Sequence, residues 1–219
     1  MGKIFCNQIS KLGIEYKEIF EDIIEIENFI SKEEIDSLFD LIKETKEEDW
    51  TTAYMDQIKR FAFLKYGRDD VDNLVAEGKV EITDRWTDKT LVIDKHPITE
   101  KIHEKIKTIV KMTDENFIFT GGDTIQRMYD GVKLHEHTDQ HTDPSVQYAS
   151  ILYLNDDYSG GELFFPNLNI DIKPKPGTLL IFPGSDKYNH GVRVVNKGPI
   201  RYVIVGFIKI KDFYKNNKF

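Results

Sequence analysis

Residues 149–185, ASILYLNDDYSGGELFFPNLNIDIKPKPGTLLIFPGS, decide the fold. Short apolar runs alternate here with segments that cannot continue a strand. Asp157-Tyr158-Ser159-Gly160-Gly161 and Lys173-Pro174-Lys175-Pro176-Gly177 combine glycine, which tolerates positive φ, with proline, which lacks the N–H that a sheet ladder needs. The same rhythm continues in both directions, with Pro183-Gly184 and Asn196-Lys197-Gly198-Pro199 as further turns. Eight strands result, over 124–129, 133–139, 147–154, 162–165, 168–172, 178–182, 190–195 and 200–209. Short antiparallel strands at this spacing indicate a jelly roll.

Upstream the pattern becomes helical. Ile24 and Ile26 alternate with charged neighbours, and Ser31-Lys32-Glu33-Glu34 then forms a capping box, with Ile30 and Ile35 placed as a hydrophobic staple. Ile35, Leu38, Phe39 and Ile42 follow helical spacing, and a second helix runs from Pro97 to Met112. The expected class is therefore mainly β with flanking α, the two helices covering the larger sheet. Residues 45–95 are polar and weakly periodic, apart from the strand-like Leu91-Val92-Ile93. They form a candidate lid or substrate loop, with Tyr54, Arg60, Arg68 and Trp86 as candidate contacts.

The chain has 219 residues, which fits one domain: a jelly-roll core over about 120–210 and supporting helices over about 20–115. A formal net charge of −8 disfavours nucleic acid as a partner. The lone Cys6 rules out an intrachain disulfide and suits a reducing compartment. MGKIFCNQISKLGIEYKEIF lacks a signal-peptide core, and no apolar run approaches the ~18 residues of a membrane span. A cytoplasmic location is the expectation; the oligomeric state is left open.

The chemistry concentrates in His135-Glu136-His137-Thr138-Asp139-Gln140-His141-Thr142-Asp143, which contains two HxD triplets and one HxH pair. A strand puts residues i and i+2 on one face, so His137 and Asp139 can reach the same ion. With His190 they make two imidazoles and one carboxylate, the set that covers one face of an octahedral metal in non-haem Fe(II) oxygenases. Zinc accepts the same set. The HxH pair also begins cupin metal sites, but the glutamate those require next is absent, since His141 and Thr142 stand there. Arg201, flanked by Val203-Ile204-Val205, reads as a buried cation at a strand end.

The order of surrounding residues separates the triplets. Tyr129 and Gly131 precede His137. Ile151-Leu152-Tyr153-Leu154-Asn155, Gly160-Gly161-Glu162-Leu163-Phe164-Phe165-Pro166 and Pro176-Gly177-Thr178-Leu179-Leu180 follow, then His190-Gly191-Val192 and Arg201-Tyr202. In this the chain resembles the 2-oxoglutarate- and Fe(II)-dependent dioxygenases, specifically the prolyl 4-hydroxylase-like branch. The resemblance favours His137/Asp139 over His141/Asp143 and implies a double-stranded β-helix. It implies His137, Asp139 and His190 as Fe(II) ligands, 2-oxoglutarate and O2 as cosubstrates, and admits ascorbate. Arg201, joined by Tyr153, would clamp the distal carboxylate of 2-oxoglutarate, and Tyr129 would donate a hydroxyl to it. His135 and His141 fall to the surroundings of the site. Prolyl hydroxylases often carry lysine where Arg201 stands, whereas arginine is commoner in the wider superfamily. Related halogenases replace the ligating carboxylate with a small residue, so Asp139 implies hydroxylation. The implied substrate is peptidyl proline in a peptide or protein; the alternatives are a free amino acid or other small molecule, or a catalytically silent binding module.

Overall fold

The computed structural model describes residues 9–11, 13–52, 66–68, 70–79, 89–92 and 96–213. The first part contains β1 (Lys17–Phe20), β2 (Ile23–Ile26), α1 (Lys32–Glu44), β3 (Thr51–Thr52), α2 (Val71–Ala76), β4 (Lys89–Val92) and α3 (Pro97–Thr113). The second contains β5 (Phe117–Met128), β6 (Leu134–His137), α4 (Asp139–Thr142), β7 (Val146–Tyr153), β8 (Ser159–Gly160), β9 (Leu163–Phe165) and β10 (Ile170–Ile172). It closes with β11 (Leu179–Pro183), β12 (His190–Val192), β13 (Val195–Asn196) and β14 (Arg201–Ile210).

The capping box forms as the sequence predicts. Ser31 Oγ accepts the Glu34 N–H at 3.3 Å, and Glu34 Oε2 accepts the Ser31 N–H at 2.8 Å. Two of the orphan donors at the start of α1 are thereby satisfied. Ser31→Ala is expected to lower stability by about 1 kcal/mol, a fall visible in denaturant unfolding; an unchanged midpoint would show that water replaces the cap.

Antiparallel pairing builds two facing sheets. The larger has the order β1-β2-β11-β7-β14-β5-β4-β3, and the smaller β10-β9-β12-β6; β13 and β8 form a separate pair. Neighbouring residues on the central strands face opposite sides of the larger sheet. Leu152, Leu179, Ile181 and Ile204 join a cluster with Leu38 of α1 and Ile102 and Ile106 of α3. Ile151, Tyr153, Leu180, Phe182 and Val203 join Leu163, Phe165 and Val192 of the smaller sheet. Burial on both faces explains why these strands read as unbroken apolar runs. The helices thus cover the outside of the larger sheet, and the space between the sheets is left for the site.

Several boundaries differ from those the sequence predicts. β5 starts at Phe117 rather than 124, because Gly121 and Gly122, at φ +82° and +86°, bulge where the pairing with β14 shifts between Ile204 and Gly206. A Cβ on Gly121 would lie 3.0 Å from the Val205 carbonyl, so glycine lets the two backbones approach. The 190–195 strand divides into β12 and β13 as its partner changes from β9 to β8. The 133–139 strand stops at His137, where α4 begins two residues on. Within 45–95 the strand expected at Leu91-Val92-Ile93 is present as β4, which starts at Lys89, and with β3, which the sequence does not signal, it extends the larger sheet beyond β5.

Among the described residues no helix is long and apolar enough to cross a membrane.

Candidate active site

His137 and His190 are direct cross-strand partners, joined by the antiparallel pairing of β6 and β12. Such neighbours point the same way, and the two rings lie 4.4 Å apart, centroid to centroid. Each ring is fixed by its Nδ1. His137 Nδ1–H donates to the His135 carbonyl at 2.9 Å, and His190 Nδ1–H to the Tyr188 carbonyl at 3.0 Å. With Nδ1 as the donor, each ring carries its lone pair on Nε2, the arrangement metal-binding histidines use.

Asp139 arrives by a different route from the one its spacing suggests. It does not lie on the strand with His137: it opens α4, with Thr138 as N-cap, and the Asp143 N–H closes the turn on the Asp139 carbonyl at 2.9 Å. The polar segment before Pro144 has no apolar face to keep it in the sheet. The turn still delivers the carboxylate, with Asp139 Oδ1 3.7 Å from His137 Nε2 and Oδ2 3.9 Å from His190 Nε2. A Cβ on Gly184 would sit 3.2 Å from the Asp139 Cβ, so a glycine beneath the turn lets it settle this deeply. The three donors all lie within 4.8 Å of one another.

The surroundings favour a cation at that point. Asp139 Oδ2 is buried with no hydrogen-bond partner among the described residues, a costly state unless an ion completes it. Burial raises the Asp139 carboxyl from its ordinary 3.8 to about 6, an effect the neighbouring His137 opposes. Burial lowers His190 from 6.5 to about 4, so its imidazole stays neutral. Phe182 meets the His190 ring edge-on at 4.7 Å and Phe165 lies 5.8 Å away, which dries that side of the site.

Arg201 is only 1% exposed. Its Nε donates to the Gly161 carbonyl at 3.1 Å, while the Nη atoms lie 3.5 Å from Met128 Sδ and Tyr153 Oη. Among the described residues no carboxylate reaches it, and a buried guanidinium without one is a ready anion receptor. Tyr153 is fully buried, and burial raises its phenol despite Arg201. Tyr158, which the sequence presents only as part of a turn, packs its ring 5.9 Å from the guanidinium. The Tyr158 hydroxyl is buried without a hydrogen-bond partner among the described residues, and burial pushes its pKa up to about 12. Arg201, Tyr153 and Tyr158 therefore offer donors to an incoming carboxylate.

The other candidates are placed differently. Tyr129 stands one residue beyond β5 and is 38% exposed. His135 contributes its carbonyl to His137. His141 Nε2 lies 3.0 Å from Asp186 Oδ1, both well exposed, and stays outside the three-donor set. His141 and Asp186 flank a cleft of about 500 Å³ that opens at His137 and is lined also by Glu136, Asn167 and Asn189. Arg68 pairs with Asp70 at 2.6 Å and with Glu77 at 3.1 Å. Tyr54, Arg60 and Trp86 lie outside the described residues.

A jelly roll that gathers two imidazole nitrogens and one carboxylate within 4.8 Å of one another has the donor set of a facial-triad, non-haem metal site. Residues 124–209 match the family model of the 2OG-Fe(II) oxygenase superfamily. Among curated proteins it is similar to human prolyl 3-hydroxylase 2, at 39% identity over 56 residues, which is 23% of this chain and 8% of that protein. Mouse prolyl 3-hydroxylase 3 matches at 41% identity over 56 residues, again 8% of its length. The chain therefore spans only a small part of these relatives. Among solved structures, a Trichoplax adhaerens prolyl hydroxylase in complex with a hypoxia inducible factor peptide fragment has a TM-score of 0.66 at 17% identity. That match covers 95% of this chain and 89% of the other. A viral collagen prolyl hydroxylase from Paramecium Bursaria Chlorella virus-1, in complex with 2OG, has a TM-score of 0.57 at 18% identity, covering 86% and 95%. At these identities the likeness is one of fold.

Proposed function

We propose that the chain is an Fe(II)- and 2-oxoglutarate-dependent hydroxylase acting on proline in a peptide or protein. The observation that carries the iron assignment is the buried Asp139 Oδ2, without a hydrogen-bond partner among the described residues, in a carboxylate whose oxygens lie 3.7 and 3.9 Å from the Nε2 atoms of His137 and His190. Its counterpart is Arg201, a buried cation that no carboxylate among the described residues reaches, which supports a dicarboxylic cosubstrate. The prolyl hydroxylases among its relatives support proline as the target.

Bound between His137, Asp139 and His190, Fe(II) with 2-oxoglutarate and O2 would convert a C–H bond to C–OH, with succinate and CO2 as co-products. The protein's own part is positional and electrostatic. Two neutral imidazoles and one carboxylate leave the iron a net positive charge, suited to an anionic chelator. Arg201 would fix the far carboxylate through charge-assisted hydrogen bonds. Tyr153 and Tyr158, their protons held firmly by burial, would donate to the same group. Tyr129, one residue past Met128, would supply a further hydroxyl. Phe165 and Phe182 keep water from His190. The cleft at His137 is the route for substrate.

The test is turnover of proline-containing peptides with Fe(II), 2-oxoglutarate and O2, followed by mass spectrometry. The expected result is one added oxygen on proline for each succinate formed. Product from free amino acids but from no peptide would overturn the peptide assignment and leave the iron chemistry standing.

A further inference from the structure

Three segments converge on the Arg201 guanidinium: the end of β7 at Tyr153, the loop that carries Tyr158, and the first residue of β14. One side chain outside that pocket ties all three together. Asn155 lies two residues beyond Tyr153. Its Nδ2 donates to the Ile200 carbonyl at 2.7 Å and to Asp157 Oδ1, beside Tyr158, also at 2.7 Å. Its Oδ1 accepts the Tyr202 N–H at 2.8 Å. The Ile200 carbonyl and the Tyr202 N–H belong to the two peptide groups that bracket Arg201, so Asn155 grips the arginine's backbone on both sides.

On its β5 edge the sheet holds Arg201 opposite Met128, but on the β7 edge it does not reach that far. The ladder between β7 and β14 ends at the pair Val203–Tyr153, two residues short of Arg201, with one further bond from the Leu154 N–H to the Tyr202 carbonyl at 3.1 Å. Beyond that the chain turns away, and the Asn155 amide continues the ladder in place of a backbone. An amide has the donors and the acceptor the two peptide groups require; a carboxylate has no donor and an aliphatic side chain neither. A strand end paired on one edge only frays more readily than one paired on both, and fraying here would displace the cation that faces the cosubstrate.

We propose that Asn155 is a positioning residue for 2-oxoglutarate, acting through Arg201 and through the loop that carries Tyr158. This rests on the 2-oxoglutarate reading of the Arg201 pocket. The test is an anaerobic titration of Fe(II)-loaded protein with 2-oxoglutarate and, separately, with oxalate. Oxalate chelates iron in the same bidentate way but has no distal carboxylate to meet Arg201. Asn155→Leu, close to isosteric, is expected to weaken 2-oxoglutarate binding by about tenfold, the scale of one or two lost hydrogen bonds. Fe(II) and oxalate affinities should stay at their wild-type values. Equal weakening of both ligands would mean general damage, and no weakening of either would mean that Arg201 holds its place unaided; each overturns the proposal. If Asn155→Leu fails to fold, Asn155→Asp, which keeps the acceptor for Tyr202 and loses the donor to Ile200, is judged by the same ratio. Wild-type protein that binds oxalate but not 2-oxoglutarate would overturn the cosubstrate reading itself, a failure the variants do not share in.

Discussion

Arg201→Ala is expected to weaken 2-oxoglutarate binding by about two to four orders of magnitude while leaving Fe(II) affinity unchanged. The size follows from burial. Breaking a buried charge pair typically costs about 3–5 kcal/mol, because the partner left behind is desolvated and uncompensated, and about 1.4 kcal/mol is a factor of ten in affinity. Arg201 is 1% exposed, so water cannot take its place cheaply. A surface ion pair would be worth under about 1 kcal/mol, and the two cases therefore separate cleanly in a titration of Fe(II)-loaded protein. Arg201→Lys is expected to fall between wild type and alanine. It keeps the charge but loses the planar fork, and with it the Nε–H bond to Gly161 that orients the head group. An Arg201→Ala protein that binds 2-oxoglutarate as wild type does would place the distal carboxylate elsewhere.

Legibility of the site in the sequence depends on whether a residue's role is chemical or topological. His137, Asp139 and His190 can be picked out because few side chains bind metals and their order along the strands is constrained. Arg201 is recognisable as a cation set against Val203-Ile204-Val205. The geometry behind Asp139 is not: alternation along a strand predicts the right partner for His137 by the wrong path, since a helical turn presents it. Tyr158 and Asn155 are hidden for a different reason. Both lie in an Asn/Asp/Gly-rich stretch that looks like a turn, and only the fold shows that this turn walls the arginine pocket. The central strands are legible because burial on both faces makes them continuously apolar. Two-residue strands such as β3, β8 and β13 are too short to carry any period. β5 is misread at its start because Gly121-Gly122 resembles a break, whereas a bulge absorbs the pair.

Asp139→Asn should abolish metal binding and yet stabilise the metal-free protein at neutral pH. In the metal-free fold burial raises the Asp139 carboxyl from 3.8 to about 6. A carboxyl raised on folding binds its proton more tightly in the native state, so between those two values the folded protein holds more protons than the unfolded one. Stability is then greatest below the unfolded value and falls as pH rises through about 6. A rise of this size corresponds to roughly 3 kcal/mol lost by pH 7 in the wild type, and asparagine, which does not ionise, escapes it. Its amide can also donate to the Nε2 lone pairs that the carboxylate only faces. His190 acts in the opposite sense. Its pKa is lowered on folding, so its contribution is present above 6.5 and is lost as pH falls towards 4; being common to both proteins, it cancels in the comparison. The gap between Asp139→Asn and wild type should therefore be largest near pH 7–8 and close towards pH 4. Mn(II), a stand-in that does not oxidise readily, should reverse the order, since binding to the native state alone stabilises it and only the wild type retains the carboxylate. Unfolding curves from pH 4 to 8, with and without Mn(II), check both parts. If the metal stabilises the two proteins equally, Asp139 is not a ligand; if the metal-free variant shows the wild-type pH slope, the buried carboxylate is not what strains this site.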